Sequence, residues 1–440
     1  MSARSPVAIL RELEQFGVRL GLETTRRLLA ALGDPQLRLT TVLVAGTNGK
    51  GSTAAFLAAM ATAAGYRTGL YTSPHLETVE ERLRIDGRAI AGERLAARLE
   101  AVLGAGGTAR THPPTYFEAL TVAAFLDFAD QDVDLAVFEV GMGGRLDATN
   151  AADPVLSLIT PLSLDHREHL GSTLAAIAGE KAGVLRHGRP AWSAPPEPAA
   201  ASAVRRGAAA TGAQLTFADA AAQVERAARG WDGQRLRVRT PRSEHDLEVS
   251  LLGAHQAGNA ALAVLGAESL AELGWHRLDA AAIRAGAAAC RWPGRLEAVT
   301  LPGGRRVLLD GAHNPGGIRA VTRFLDELDG PVDLLFGALV DKPVPEMLPP
   351  LLARVRTAVL TTAPSSRAVP AAQLAALAGG HAVVVEPEPS RALARALSGQ
   401  APLLVCGSLY LVGAVRTLLR EWFGVPPPPV AVVAERGVSR

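Results

Sequence analysis

Lysine is almost missing from this chain. Of its 45 basic residues only Lys50, Lys181 and Lys342 are lysines; the other 42 are arginines. Arginine serves well on a solvated surface but replaces neither a compact ammonium nor a reactive amine. Codon bias accounts for the scarcity, not for the places where lysine survives: each lies in a short glycine- or acid-containing motif. Cysteine is scarce too. Cys290 and Cys406 lie far apart, which argues against a disulfide framework or a thiolate metal site and points to a reducing cytoplasm. No apolar run reaches the about 18 residues that a membrane span requires. Met1–Gly17 carries charges every few residues around no apolar core, so no signal peptide is expected. An excess of one charge is lacking as well. The 45 basic and 43 acidic residues leave a formal charge of +2 with no basic block, which excludes a nucleic-acid arm or a membrane-surface patch.

What is present is enough apolar sequence, 48% over 440 residues, for two or three ordinary domains. From Thr40 to about Gly188, short apolar runs alternate with helical stretches. Strands are predicted over Thr41–Ala45, Arg67–Tyr71, Asp134–Val140 and Val155–Thr160, with helices over Ser52–Ala64 and Phe117–Ala129. That alternation predicts βαβ units in a parallel sheet covered on both faces. Ala194–Ala213 reads as a surface connection with helical content, and Trp231–Leu251 as a small antiparallel hairpin. Two Ala-rich helices follow, up to Ala289. After a break at Arg291–Glu297, strands over Arg306–Asp310, Val332–Phe336, Ala358–Thr361, Ala382–Val385 and Leu403–Cys406 predict a second, smaller, Rossmann-like α/β domain. The expected division is residues 1–295, 296–425 and a mobile Pro-rich tail at 426–440, with a hinge near Pro293–Leu296.

Gly46-Thr47-Asn48-Gly49-Lys50-Gly51-Ser52 sits between a predicted strand and helix. Glycines let backbone N–H groups curl around an anion, and the helix N-terminus adds its positive dipole end. Lys50 can reach outer phosphates, and Ser52 lies where a magnesium ligand belongs. The loop departs from G-x-x-x-x-G-K-[ST]: its first glycine is two residues closer to the lysine, and Gly51 precedes Ser52. Glu139 ends a predicted parallel strand, where a carboxylate faces the ligand crevice. The following Gly141-Met142-Gly143 lacks a third glycine at Leu146, so a metal-holding Glu139 is preferred to a dinucleotide turn. His166, read as ending the neighbouring strand in Leu164-Asp165-His166, converges on the same metal, although magnesium prefers oxygen. Glu180-Lys181-Ala182-Gly183 lies on a helix that starts after Gly171, where a surface ion pair is the plain alternative.

Together these segments resemble the folylpolyglutamate synthase/dihydrofolate synthase family of the Mur ligase superfamily. The resemblance rests on GTNGKGST (46–53), TSPHL (72–76), TYFEALT (115–121), EVGMGGRLDATN (139–150), LDHREHLG (164–171), EKAG (180–183), PGRLE (293–297) and DGAHNPGG (310–317), in family order over about residues 20–420. It implies an N-terminal P-loop-type domain and an ATP-dependent amide ligase in folate biosynthesis and polyglutamylation. L-Glutamate would be joined to dihydropteroate or a reduced folate through an acyl phosphate, releasing ADP and phosphate. Asn48, Gly49, Lys50 and Gly51 would wrap the ATP phosphates. Ser52, Ser73, Glu139 and His166 would serve two magnesium ions, and Lys181 would carry a carbon dioxide-derived carbamate. Asn259 resembles the adenine contact, Arg295 the phosphate clamp and Asp310 the ribose contact, while His313 would face the reaction centre. Thr115, Tyr116, Phe117, Glu118, Leu146, Asp147 and Ala148 would hold the pterin-bearing acceptor, although Phe117 fits a plain core position nearly as well. Arg82 and Ser408 would contact the incoming glutamate. Lys342 matches a family segment without a role. A cytoplasmic monomer is the default. The rival readings are a peptidoglycan-type Mur ligase, a member with one of the two folate activities, and a regulatory module that binds ATP without chemistry.

Overall fold

A computed structural model describes residues 4–106, 113–228 and 230–425; the predicted mobile tail lies outside them. An eight-stranded sheet dominates the first part. Its order is Arg88–Ala89, Leu83–Ile85, Thr68–Tyr71, Leu135–Glu139, Thr40–Ala45, Leu156–Ile159, Pro190–Ser193 and Gln214–Phe217. Pairing is parallel from Thr68–Tyr71 onward, and antiparallel only where the first two strands join. Thr40–Ala45 is almost wholly buried, as a continuous β-branched and apolar run must be when both faces of a parallel sheet are covered. One face is covered by the helices Lys50–Ala63 and His255–Glu272. The other is covered by Gly92–Ala105, Tyr116–Asp130 and two N-terminal helices, Pro6–Leu13 and Glu23–Ala31. Those last two were not anticipated.

The expected hairpin is a three-stranded antiparallel sheet, Gln223–Ala228, Gln234–Arg239 and Glu244–Val249. Its inward residues Leu236, Val238, Leu247 and Val249 join the same core as the helix Lys50–Ala63, so it extends that core. Gln223–Ala228 escaped notice because it buries almost nothing on either face and so shows no alternation. The stretch Ala194–Ala213 does contain a helix, Pro198–Thr211, but strands flank it on both sides.

A six-stranded sheet forms from strands after the hinge, in the order Glu297–Thr300, Arg306–Leu309, Leu403–Cys406, Val332–Phe336, Val355–Leu360 and Val384–Val385. All its pairs are parallel except the first. Glu297–Thr300, an antiparallel edge strand, was hidden because only Val299 of its four residues is buried. Among the described residues no helix is long and apolar enough to cross a membrane, and both cysteines are free and buried.

Candidate active site

The strand Thr40–Ala45 runs between Leu135–Glu139 and Leu156–Ile159. The crevice at the carboxyl ends of such strands is where α/β sheets bind ligands. The 46–52 loop leaves this point. Gly49 is its hinge, with φ +86°, and the helix begins at Lys50, two residues before its predicted start. Lys50 and Gly51 therefore sit in the first turn, where unsatisfied N–H groups concentrate. A methyl on Gly49 would lie 2.3 Å from Asn259 Oδ1, so only glycine lets the loop close on Asn259. The departure at Gly51 has a steric cause too: a methyl there would lie 2.9 Å from the Trp292 indole nitrogen, in the segment leading to the hinge. Asn259 Nδ2 donates to Gln256 Oε1 (2.9 Å), whose amide reaches Ser52 Oγ (3.3 Å). Lys50 Nζ rests on the Thr47 carbonyl (3.2 Å) and lines the cleft.

Glu139 pairs in register with Val44, just before the loop. Burial raises its pKa, Lys50 opposes the rise, and the Ser73 N–H donates to Oε2 at 3.1 Å. His166 corrects an expectation. The strand stops at Ile159, and His166 follows a six-residue loop, in left-handed conformation (φ 49°) at the start of the short helix Arg167–Leu170. The apolar character of Leu162 and Leu164 had extended the apparent strand. His166 still lines the cleft with Ser52, Ser73 and Glu139. Its pKa is lowered, chiefly by burial. Among the described residues no three His, Cys, Asp or Glu side chains form a cage. The carboxylate and two hydroxyls offer the oxygens that magnesium prefers, and the imidazole is the one nitrogen among them.

Lys181 is buried on the helix Leu174–Ala182, with Nζ 2.5 Å from the Gly46 carbonyl, and does not line the cleft. Burial, then the nearby Lys50, lowers its pKa to about 7.

Arg295 from the segment between the two sheets, and Asp310 and His313 from beyond it, reach the same cleft. Both Asp310 oxygens are already engaged, by the N–H groups of Leu296 (2.7 Å) and Ala312 (2.8 Å), so this carboxylate also fixes the hinge. His313 Nδ1 lies 2.8 Å from the Gly311 carbonyl, which can only accept, so Nδ1 carries the hydrogen and Nε2 is left basic. Burial lowers its pKa to about 4. Asn314 bridges the two parts through Asn48 Oδ1 (3.0 Å) and Asp165 Oδ2 (3.3 Å). Lys342, the lysine without a role, pairs with Asp165 at 3.4 Å. Burial works against the charge on Asp165, but His166, Lys342 and His313 outweigh it and hold the pKa near 2. Gln256, Asn314, Asp165 and the Gly51 partner Trp292 were missed as site residues, although Asn314 and Asp165 stand inside motifs already singled out.

The expected acceptor residues Thr115, Tyr116, Phe117, Glu118, Leu146, Asp147 and Ala148 all line the cleft. Several also hold local structure. Thr115 and Glu118 form a reciprocal capping box on the helix Tyr116–Asp130. Asp147 accepts from Met142 N–H (2.9 Å), Thr149 N–H (3.0 Å) and the Thr149 hydroxyl (2.6 Å). Phe117 does double duty, packing at the core edge and facing the cleft. Arg82, buried, donates from Nε to His75 Nδ1 at 3.0 Å and lies over the Tyr116 ring. Ser408 is buried as N-cap of the helix Leu409–Phe423 and does not line the cleft; its neighbours Leu409 and Tyr410 do. The cleft as a whole encloses about 1480 Å³.

A glycine-rich phosphate loop facing a carboxylate, met by an arginine from the segment joining the two sheets and a histidine from the second sheet's region, defines a nucleotide-dependent ligase. Residues 44–267 match the Mur ligase middle domain and residues 294–409 the Mur ligase glutamate ligase domain. The chain is 37% identical over 341 residues to Bacillus subtilis dihydrofolate synthase/folylpolyglutamate synthase, covering 76% of this chain and 79% of that one. It is 40% identical over 434 residues to a probable bifunctional folylpolyglutamate synthase/dihydropteroate synthase of Haloferax volcanii, covering 95% of this chain but only half of that longer relative. Mycobacterium tuberculosis folylpolyglutamate synthase complexed with ADP and AMPPCP superposes with a TM-score of 0.86 at 33% identity, covering 94% of this chain and 99% of the other. Escherichia coli FolC in complex with DHPP and ADP gives 0.85 at 30%, covering 95% and 98%. The chain belongs to the folylpolyglutamate synthase/dihydrofolate synthase family of Mur-type ATP-dependent ligases.

Proposed function

We propose that this chain joins L-glutamate to a pterin-linked carboxylate, that of dihydropteroate, a reduced folate or both, at the expense of ATP. The observation that carries the reading is that phosphate loop, Glu139, Arg295 and the Thr115–Ala148 acceptor wall share one cleft. An acceptor carboxylate oxygen attacks the γ-phosphorus, the bond to the β-phosphate oxygen breaks, and ADP leaves. The glutamate amine then attacks the acyl carbon, the C–O bond to phosphate breaks, and an amide and phosphate result. The first step crowds two anions together; Lys50 and Arg295 spread that charge and hold the phosphates in place. His313, whose Nε2 is left without the hydrogen, would take the proton that the amine loses. Ser52, Ser73, Glu139 and His166 would hold Mg²⁺, which supplies charge neutralisation at the phosphates.

Lys181 carries a carbamate in this reading. Its pKa near 7 leaves much of the amine uncharged at neutral pH, the form that adds carbon dioxide, and arginine cannot substitute. Asn259 serves the adenine, Asp310 the ribose, Arg82 and Ser408 the incoming glutamate. Division at residue 295 makes closure of the domains over the cleft a condition of catalysis, since the acyl phosphate must be kept from water. The enzyme works as a monomer in a reducing cytoplasm.

The test is ADP formation with dihydropteroate and with tetrahydrofolate, each with and without glutamate. Glutamate-dependent ADP release with at least one pterin is expected. Release with a UDP-sugar peptide and neither pterin overturns the assignment.

A further inference from the structure

The Ser73–Thr78 loop carries the amide that holds Glu139 and the imidazole that meets Arg82, yet little of it belongs to regular structure. Three of its N–H groups, those of Leu76, Glu77 and Thr78, converge on the Glu81 carboxylate at 2.9 to 3.0 Å. That makes the loop a small rigid body. Its outer side rests on the last helix of the second domain, Leu409–Phe423, and the fit is close: a methyl on Gly413 would lie 2.0 Å from the Leu76 carbonyl. At this contact Arg416, buried to 7% exposure, pairs with Glu77 (8%) on the loop. Its Nε lies 3.1 Å from both oxygens of Glu297. Glu297 in turn accepts the Gly294 N–H at 2.9 Å, within the hinge itself. Arg420, far more exposed at 40%, also pairs with Glu77.

We propose that Arg416 is a positioning residue that bolts the Ser73–Thr78 loop to the hinge, so that the second domain's placement sets the Ser73 amide and the His75–Arg82 pair. The guanidinium suits the task because its fork of donors meets two carboxylates at once, which an ammonium on a flexible stem does less well. The buried charges are also protected from water and salt in a way that surface pairs are not. Rotation about Gly294–Leu296 then drags the loop with it instead of sliding past. The proposal rests on the ligase reading only for its kinetic arm.

The test uses the full chain and three variants: Arg416→Met, Gly413→Ala, which wedges the same contact without touching a charge, and Arg420→Met as the comparison. Hydrogen exchange should be about tenfold faster in amides 72–82 of the first two, with wild-type protection in the strands Thr40–Ala45 and Leu403–Cys406 and throughout Arg420→Met. In turnover, the first two should need about tenfold more Mg²⁺ for half-maximal rate while the KM for ATP stays within about twofold. Unchanged exchange in the loop, or protection lost evenly across both sheets, overturns the proposal. So does a parallel change in the Mg²⁺ and ATP requirements. A wild-type chain with no ligase activity defeats the ligase reading and leaves the exchange result to decide this one.

Discussion

Replacing Gly49 by alanine puts the phosphate loop under two separate strains. The residue sits at φ +86°, and the added methyl would lie 2.3 Å from Asn259 Oδ1. A left-handed conformation costs an L-residue about 1–2 kcal/mol. Pushing Asn259 aside breaks its 2.9 Å bond to Gln256, worth about 1 kcal/mol for a neutral pair. The loop conformation that grips nucleotide becomes about 2–3 kcal/mol less favourable, which weakens ADP binding roughly 30- to 150-fold. Gly258 provides the comparison, since nothing lies within 4 Å of its added methyl and its φ is helical. Gly258→Ala should bind ADP as wild type does and gain up to about 1 kcal/mol of stability. Calorimetric titration with ADP and thermal unfolding of both variants decide the matter. Gly49→Ala binding ADP within about threefold of wild type would refute the reasoning.

Lys50→Ala and Glu139→Ala should each lower turnover by on the order of 10²-fold or more, as loss of a charge stabiliser in phosphoryl transfer does, while circular dichroism stays unchanged. Lys181→Arg should fold and be nearly inactive; an active variant removes the carbamate. Because a pKa near 7 means the uncharged amine grows as pH rises through 7, wild-type activity should climb across that range and respond to added bicarbonate. His75, His255 and His313 all have pKa values lowered by burial from 6.5 to about 4. Between those values the unfolded chain binds more protons than the folded one, so stability should fall as pH drops from 6.5 to 4, by about 1.4 kcal/mol per pH unit per excess proton. Urea midpoints across that window test it; a flat profile contradicts it.

Much of this architecture was legible because buried parallel strands write themselves as uninterrupted apolar runs. Thr40–Ala45 and Val332–Phe336 could be read with little error. Strands that bury little, such as Gln223–Ala228 and Glu297–Thr300, carry no such pattern. The short helix after His166 was misjudged because two leucines in a loop imitate a strand end. The phosphate loop and the segment around Arg295 were visible as motifs, since such loops need glycine and proline at set places, whereas residues 17–21 and 364–367, which also line the cleft, carry no such signal. What pattern could not reveal was shared employment. Asp310 pins the hinge, Thr115 and Glu118 cap a helix, and Asp147 holds its own turn, while Asn314 and Lys342 meet their partners across more than a hundred residues of chain. Such pairings depend on where two domains come to rest, which local sequence does not encode.

The most direct measurement labels the acceptor's carboxylate oxygens with ¹⁸O and follows the label through one turnover with ATP and glutamate. If the terminal phosphoryl group passes to that carboxylate beside Lys50, the released phosphate carries one labelled oxygen, and Lys50→Ala releases almost none. Phosphate free of label, formed alongside the amide product, contradicts the account.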